Sequence, residues 1–416
     1  MAREGSVVVI GAGVVGVSAA YCLRLRGWDV VLLDKGEVCS GASYGNAGFV
    51  LPSHAVPLAA PGVMGKGLRW LMDPESPFYI RPRLDRELIS WLLRFAASST
   101  RAHVQRSAPV LLAMHRASQE LYQEWVSKEG LDCDFTRKGL MALCRTASGY
   151  HEVLEEARFL GSLGVTFEAL DGKAACDLEP AIRPGMTGGV YYPEDAHVTP
   201  GKFVSGLAAA AERMGVAIKT NTEVLGFVTA GEKVAAVQTT RGDFRADEVV
   251  LAAGAWSPPV ARGLGLRLPI QAAKGYSVTT KRPALSPSIS LLLGEARVGV
   301  TPMGELLRIA GTLELAGLDL SINRRRVDAI VSGARAYVSG LDDMEPVEIW
   351  RGLRPCTPDG LPIIGRAGRY RNLTVAAGHA MVGQSLGPIT GKIVSQILCG
   401  EDPAIAIAPF RAERFQ

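Results

Sequence analysis

The chain has 416 residues, 48% of them hydrophobic, and a formal net charge of +4. That length favours two domains over one core, and the apolar share excludes disorder. A charge this near balance, with no like-charge run longer than Arg324-Arg325-Arg326, speaks against nucleic acid as a partner.

Taken in order, Val7 to Ile10 predicts a strand, Val14 to about Arg26 a helix, and Val30 to Asp34 a second strand after Gly27. This is the βαβ opening of a parallel sheet. The run from Ser6 to Leu23 carries no charge and could be read as a signal peptide or membrane helix. Its glycines Gly11, Gly13 and Gly16, with Arg24 and Arg26 directly after, favour strand, turn and helix. A Gly/Ser/Asn-rich loop, GASYGNAGFV, follows at 41–50, then a proline-punctuated stretch from Pro52 to Pro82.

Leu84, Leu88, Trp91, Leu92 and Phe95 share one face of a predicted helix, and Leu111, Met114, Leu121 and Trp125 share a face of another. Neither suits a βαβ unit, so an inserted domain is expected, with the chain returning near 187–197. Thr199-Pro200 reads as an N-cap and first helical position, opening a helix through Phe203, Leu207, Ala211 and Met214. Segments at Val224–Val228, Val234–Thr240 and Phe244 predict an antiparallel meander that closes with the strand VVLAAGA at 249–255. Strands KGYSVTT, ARVGVTP and LLRIAGT precede a helix from about 323 to 338. LTVAAG (373–378) and a helix from about Gly387 to Leu398 end the pattern.

Cys22, Cys39, Cys133, Cys144, Cys176, Cys356 and Cys399 are odd in number, scattered, and never spaced C-x-x-C. Reduced thiols, no disulfide framework and no metal site are expected, in a cytoplasmic setting.

Gly11-x-Gly13-x-x-Gly16 would be a weak signal alone. Here it follows an apolar strand, opens a helix, and has Asp34 at the end of the next strand. Glycines there let the backbone approach a pyrophosphate at the helix N-terminus, and Asp34 would accept from ribose hydroxyls. The alternative is a glycine-rich turn without a ligand. NAD and FAD share the pattern, but VVLAAGAWS (249–257), with Ala253, Gly254 and Trp256, resembles the second dinucleotide-contacting stretch of two-domain flavoproteins, and that resemblance favours FAD. An AAGA string also suits a tightly packed sheet.

Arg351 and Arg354 stand in RGLRPCTPDGLPIIG (351–365), beside a predicted buried strand. Pro355 forces Arg354 into extended backbone, and Thr357-Pro358-Asp359-Gly360 is a tight turn. An arginine so placed needs an anion. It could be an internal Asp or Glu, or a ligand carboxylate.

Four stretches, VVVIGAGVVGVSAAYCLRLRGWDVVLLDKG, GASYGNAGFVLPSHAVPLAAPGV, GLRPCTPDGLPIIG and AAGHAMVGQSLGPITGK, resemble the D-amino-acid oxidase-like flavoproteins, nearest to their bacterial D-amino-acid dehydrogenase branch. AKGYSVTT and VGVTPMGELLRIAGTLE between them extend the likeness over nearly the whole chain. The resemblance implies an α/β fold (α+β overall) with two discontinuous domains. A Rossmann-like FAD-binding domain would comprise 1–52, 190–268 and 345–416, and a substrate domain with a mixed antiparallel sheet 53–189 and 269–344.

It further implies non-covalent FAD, held by Gly11, Gly13, Val14, Val15, Gly16, Asp34 and Lys35, with Ser43, Asn46, Ala47 and Gly48 along the flavin's path. Val224 would lie on the adenine side, beside Ala253, Gly254 and Trp256. His379, Val382, Gly383, Gln384 and Ser385 would wrap the pyrimidine edge, where backbone N–H groups and a helix N-terminus suit an anionic reduced ring. Arg354 would clamp the substrate carboxylate, with Arg351 as scaffold. Tyr276 and Arg308 would face substrate and flavin, although both also suit ordinary sheet positions. His54 would belong to a lid. Cys356 does not match the attachment position of covalent-flavin relatives.

The activity implied is oxidative deamination of a D-amino acid, with hydride transfer from Cα to flavin N5 and electrons passed to a quinone-type acceptor. Alternatives are a cyclic secondary amine such as hydroxy-D-proline, an oxidase of glycine or sarcosine type, or a non-catalytic electron-transfer subunit. VPLAAPGVMGKGLRWLM (56–72), apolar with Lys66 and Arg69, could lie on the inner face of the cell membrane, or serve as an ordinary lid.

Overall fold

The computed structural model describes residues 5–63, 65 and 76–415. The opening apolar strand, Ser6–Ile10, sits at the centre of a mostly parallel sheet. The order across it is Ile363–Arg366, Leu373–Ala377, Glu248–Leu251, Ser6–Ile10, Asp29–Leu33 and Ala217–Lys219. Only the outermost pair, Ile363–Arg366 with Leu373–Ala377, is antiparallel. Side chains of a strand alternate between faces, and this one buries both. Val7 and Val9 pack toward the helices Val14–Leu25 and Gly383–Cys399, while Val8 and Ile10 pack toward a separate three-stranded meander, Val224–Ala230, Lys233–Thr239 and Gly242–Phe244.

The strand expected at 249–255 ends at Leu251. Past the sheet edge the chain turns into a 3-10 helix, Gly254–Trp256, with Gly254 at φ 54°. The helix expected from Gly387 begins four residues earlier, at Gly383. Pro388 cannot donate to the Gln384 carbonyl one turn back. The Tyr122 hydroxyl donates to that carbonyl instead, at 2.6 Å, so the helix runs through the proline.

The larger sheet is mixed. Its path runs Pro346–Cys356, Gln271–Lys281, Leu306–Leu315, Val298–Met303, Ser290–Leu293, Leu140–Cys144, Gly188–Tyr192 and Glu168–Asp171, with Phe78–Ile80 against the end of Leu306–Leu315. Two expected segment boundaries cut across it. Pro346–Cys356, expected with the parallel sheet, pairs along nearly its whole length with Gln271–Lys281, and Gly188–Tyr192 likewise belongs to the larger sheet.

The helix Arg101–Glu129, expected in an inserted domain, shares one core with the first and C-terminal helices. Tyr21 Oη donates to Glu129 Oε1 at 2.6 Å, which ties the first helix to it. In the preceding helix, Arg86–Ser98, Leu88, Trp91 and Phe95 are buried, but Leu84 lies before the Asp85 N-cap and is fully exposed. Of the apolar stretch 56–72, Met64 and everything from Lys66 onward, Arg69 included, lie outside the described residues.

Candidate active site

Two helix N-termini meet at one place because their helices approach unusually closely. A Cβ on Gly391 would stand 2.5 Å from the backbone of Ser18, and one on Gly387 would stand 2.6 Å from Val14. This contact brings Val14, at the start of the first helix, and Gly383, at the start of the C-terminal helix, to the wall of the same cavity. Each terminus carries unpaired N–H groups and partial positive charge.

The cavity has a volume of ≈ 570 Å³. At one end is the glycine turn. Gly11 has φ 108°, a left-handed backbone that favours glycine, and a Cβ there would lie 2.5 Å from the Ala252 carbonyl oxygen. Asp34 accepts from Ala12 N at 2.6 Å and from Gly36 N at 2.8 Å, so its carboxylate holds the turn as well as lining the cavity. Ser43 reaches in from the 41–48 loop, and its Oγ accepts from Val14 N at 3.0 Å, capping the first helix from outside. Beside them, Lys35 Nζ lies 3.9 Å above the Trp256 ring.

At the other end stands Arg354. Nη1 donates to the Thr312 carbonyl at 2.6 Å, and among the described residues no carboxylate pairs with it. Burial pulls its pKa below the ordinary value, a sign of incomplete compensation. Arg351, three residues earlier, donates to the Leu320 carbonyl at 3.0 Å.

His379 lines the same cavity. The Thr390 hydroxyl donates to the Leu386 carbonyl at 2.8 Å, so it accepts from His379 Nε2–H at 2.9 Å. This assigns the proton to Nε2 and leaves Nδ1 as an acceptor. Burial lowers the imidazole pKa to about 3, so the ring is neutral at physiological pH. Gln384 donates from Nε2 to Tyr122 Oη at 2.9 Å, and its buried Oε1 has no partner.

Of the sequence-selected residues, Gly11, Gly13, Val14, Val15, Asp34, Lys35, Ser43, Asn46, Val224, Ala253, Gly254, Trp256, Arg354, His379, Gly383 and Gln384 line this cavity. Gly16, Ala47, Gly48, Val382 and Ser385 do not. Gly16 lies under the turn, where a Cβ would strike the Gly11 carbonyl at 1.7 Å. Ser385 Oγ accepts from Leu51 N at 3.1 Å and contacts His115 Nδ1 at 2.8 Å.

Tyr276 and Arg308 also stand away from the wall. Tyr276 Oη donates to Glu314 Oε2 at 2.9 Å inside the larger sheet's own core. Arg308 donates from Nη1 to the carbonyls of Tyr44 at 2.7 Å and Asn46 at 3.2 Å, and from Nε to Thr279 Oγ1 at 3.1 Å. It holds the 41–48 loop in place. His54 directly follows Ser53, which is held in a buried contact with Asp195. Cys356 is fully buried, and burial pushes its thiol up to about 12, so it is a poor nucleophile. All seven cysteines are free, and no metal-binding group of His, Cys, Asp or Glu occurs among the described residues.

These features fit a flavin dinucleotide. The glycine turn packs against backbone too closely for a Cβ at Gly11 or Gly16 and lines the cavity with Gly11 and Gly13, the first helix offers its N-terminus to the pyrophosphate, and Gln384 Oε1 is an unused acceptor for a ring N–H. Sequence reasoning missed Thr312, Gly275, Thr222 and Glu223. The first two act through backbone and absence of side chain, and the other two become neighbours of Asp34 only because Ala217–Lys219 joins the parallel sheet's edge.

Residues 6–397 match the family model for FAD dependent oxidoreductases, DAO. A D-amino acid dehydrogenase of Granulibacter bethesdensis is 32% identical over 415 residues, covering 98% of this chain and 99% of its own length. A D-amino acid dehydrogenase of Paramagnetospirillum magneticum is 34% identical over 416 residues, covering 98% of each chain. Among solved structures, glycine oxidase from Geobacillus kaustophilus superposes with a TM-score of 0.81 at 25% identity, covering 98% of each chain. With the family pattern spanning both sheets and the cavity between them, the chain belongs to the DAO family of FAD-dependent oxidoreductases.

Proposed function

We propose that this protein oxidatively deaminates D-amino acids to 2-oxo acids and ammonia. The observation that carries this reading is Arg354, a guanidinium drawn into the cofactor cavity with a single carbonyl partner. A planar fork left open in this way suits a carboxylate and fixes the direction of Cα. FAD, when bound, supplies the two-electron acceptor for the Cα–H bond. The substrate nitrogen, neutral at that moment, gives up a proton as Cα loses hydride, leaving an imino acid. Water adds to its C=N bond and ammonia departs.

The carboxylates that line the cavity, Asp34 and Glu223, lie at the glycine-turn end, and His379 is a neutral ring. The chain's part is therefore to bind, orient and exclude water. The acceptor proposed for the electrons is a quinone at a membrane surface. On the helix Arg86–Ser98, Ile89 and Leu93 are 48% and 68% exposed beside exposed Arg86 and Arg94, the pattern of a helix resting on anionic lipid. No helix among the described residues is long and apolar enough to cross a membrane.

The test is anaerobic addition of D- and L-amino acids, glycine and hydroxy-D-proline to the holoprotein, scored by flavin bleaching. D-amino acids should bleach it, and quinone should restore the colour faster than oxygen. Arg354→Ala should lower kcat/KM by roughly 10³-fold, about 4 kcal/mol. No bleaching by any amine points to a non-catalytic flavin subunit instead.

A further inference from the structure

The clamp residue is itself held by a device in the sheet beneath it. Gln271–Lys281 and Leu306–Leu315 pair antiparallel from Lys281 to Tyr276, where Tyr276 faces Gly311. One step further the register breaks, and Lys274 faces Glu314. Two residues of one strand, Thr312 and Leu313, thus stand against Gly275 alone, which is a β-bulge. Thr312 carries the strain of the bulge, with φ 64° in a non-glycine, β-branched residue. Its carbonyl is thereby turned out of the ladder and accepts from Arg354 Nη1 at 2.6 Å.

Gly275 supplies the space. A Cβ at this position would lie 2.1 Å from Nη1 and 2.5 Å from both Cζ and Nη2 of Arg354. Three atoms of one planar group at such distances mean that the guanidinium lies flat across the glycine. On the other side, Gly275 pairs with Gly352, two residues before Arg354 on the same face of its strand. The fork therefore rests on the bare backbone of Gly275, beside the Trp350 ring that covers Gly352, and is pinned at one nitrogen, which leaves its remaining N–H groups for a ligand.

We propose that Gly275 and the bulged Thr312 are positioning residues for the substrate carboxylate, acting only through Arg354. This rests on the reading of Arg354 as the carboxylate clamp. The pair presets the plane of the guanidinium, so that a carboxylate meets an oriented fork instead of a mobile one.

The test uses the FAD-loaded full chain and reads the dissociation constant of benzoate, a simple carboxylate, from the perturbation of the flavin spectrum. KM and kcat for the best amino acid are read alongside. Gly275→Ala should weaken benzoate and raise KM by at least thirtyfold, with FAD content as in the parent. Arg354→Ala should do the same, and the double variant should be no worse than Arg354→Ala alone.

If Arg354→Ala leaves benzoate binding unchanged, the clamp reading itself fails. If Arg354→Ala weakens binding but Gly275→Ala does not, or if the two losses multiply, the positioning inference is overturned. Should Gly275→Ala not fold, adding Arg354→Ala removes the atoms it strikes and should restore a FAD-loaded protein. Failure to restore it would place the role of Gly275 in the sheet and overturn the inference.

Discussion

At the scale of single residues, neighbouring arginines divide by what their donors already hold. Arg351 donates to the Leu320 carbonyl at the surface, Arg308 is committed to three oxygens, and Arg354 keeps most of its fork free. Arg308→Met should therefore loosen the 41–48 loop without removing a reacting group. A charged hydrogen bond is worth about 1.5–3 kcal/mol, so FAD should bind roughly tenfold or more weakly. Titration of the apoprotein by Trp fluorescence quenching checks this, and activity at saturating FAD should largely return. A loss of turnover that excess FAD does not repair would restore a direct catalytic part for Arg308. The sequence showed that Arg354 needed an anion. It could not show that the internal acids nearby, Glu314 and Asp319, are taken by Lys274, at 3.5 and 2.8 Å.

At the scale of elements, the site depends on how closely two helices approach. In an exposed helix, Gly→Ala stabilises by about 1 kcal/mol. At Gly391 the added Cβ meets Ser18 backbone at 2.5 Å, and neither helix can yield locally, so packing overrides propensity. Gly391→Ala is expected to destabilise by about 1–3 kcal/mol and to release FAD, because both N-termini at the cavity move apart. The urea midpoint and the flavin content of purified protein measure the two effects. Periodicity located both helices, since apolar spacing survives in any context. The C-terminal helix starts one turn before the expected Gly387 and runs through Pro388, because the Tyr122 hydroxyl that supplies the missing donor lies 266 positions before that proline in the chain, visible only after folding.

At the scale of the whole molecule, burial sets the response to pH. His115 and His379 are lowered to about 3 and His197 to about 4, in each case chiefly by burial. A folded-state pKa below the unfolded value near 6.5 gives stability that is complete above that value and lost as pH falls through the window to 3–4. By pH 5 each histidine forfeits about 2 kcal/mol. Asp195 works in the opposite sense. Burial raises it to about 7, so its contribution is complete below about 4 and lost as pH rises to 7. Three histidines outweigh one carboxyl, and a net loss of about 3 kcal/mol is expected between pH 7 and pH 5. Denaturant midpoints at the two values test this. Asp195→Asn, which keeps an acceptor for Ser53 N and offers a donor to Ser53 Oγ, should make the acid loss steeper.

By itself the sequence determined the parallel sheet's opening, the glycine turn and the amphipathic helices. Each of these is written in local spacing: alternation for strands, three-to-four periodicity for helices, and fixed offsets for the turn. Tertiary structure decided which strand belongs to which sheet, because Pro346–Cys356 is apolar and extended enough for either and only its partner Gln271–Lys281 settles it. It also decided that Tyr276 and Arg308 turn away from the cavity, and that a bulge aims the Thr312 carbonyl at Arg354. The direction of a side chain or carbonyl depends on pairing register, and register is fixed by residues far apart in the chain.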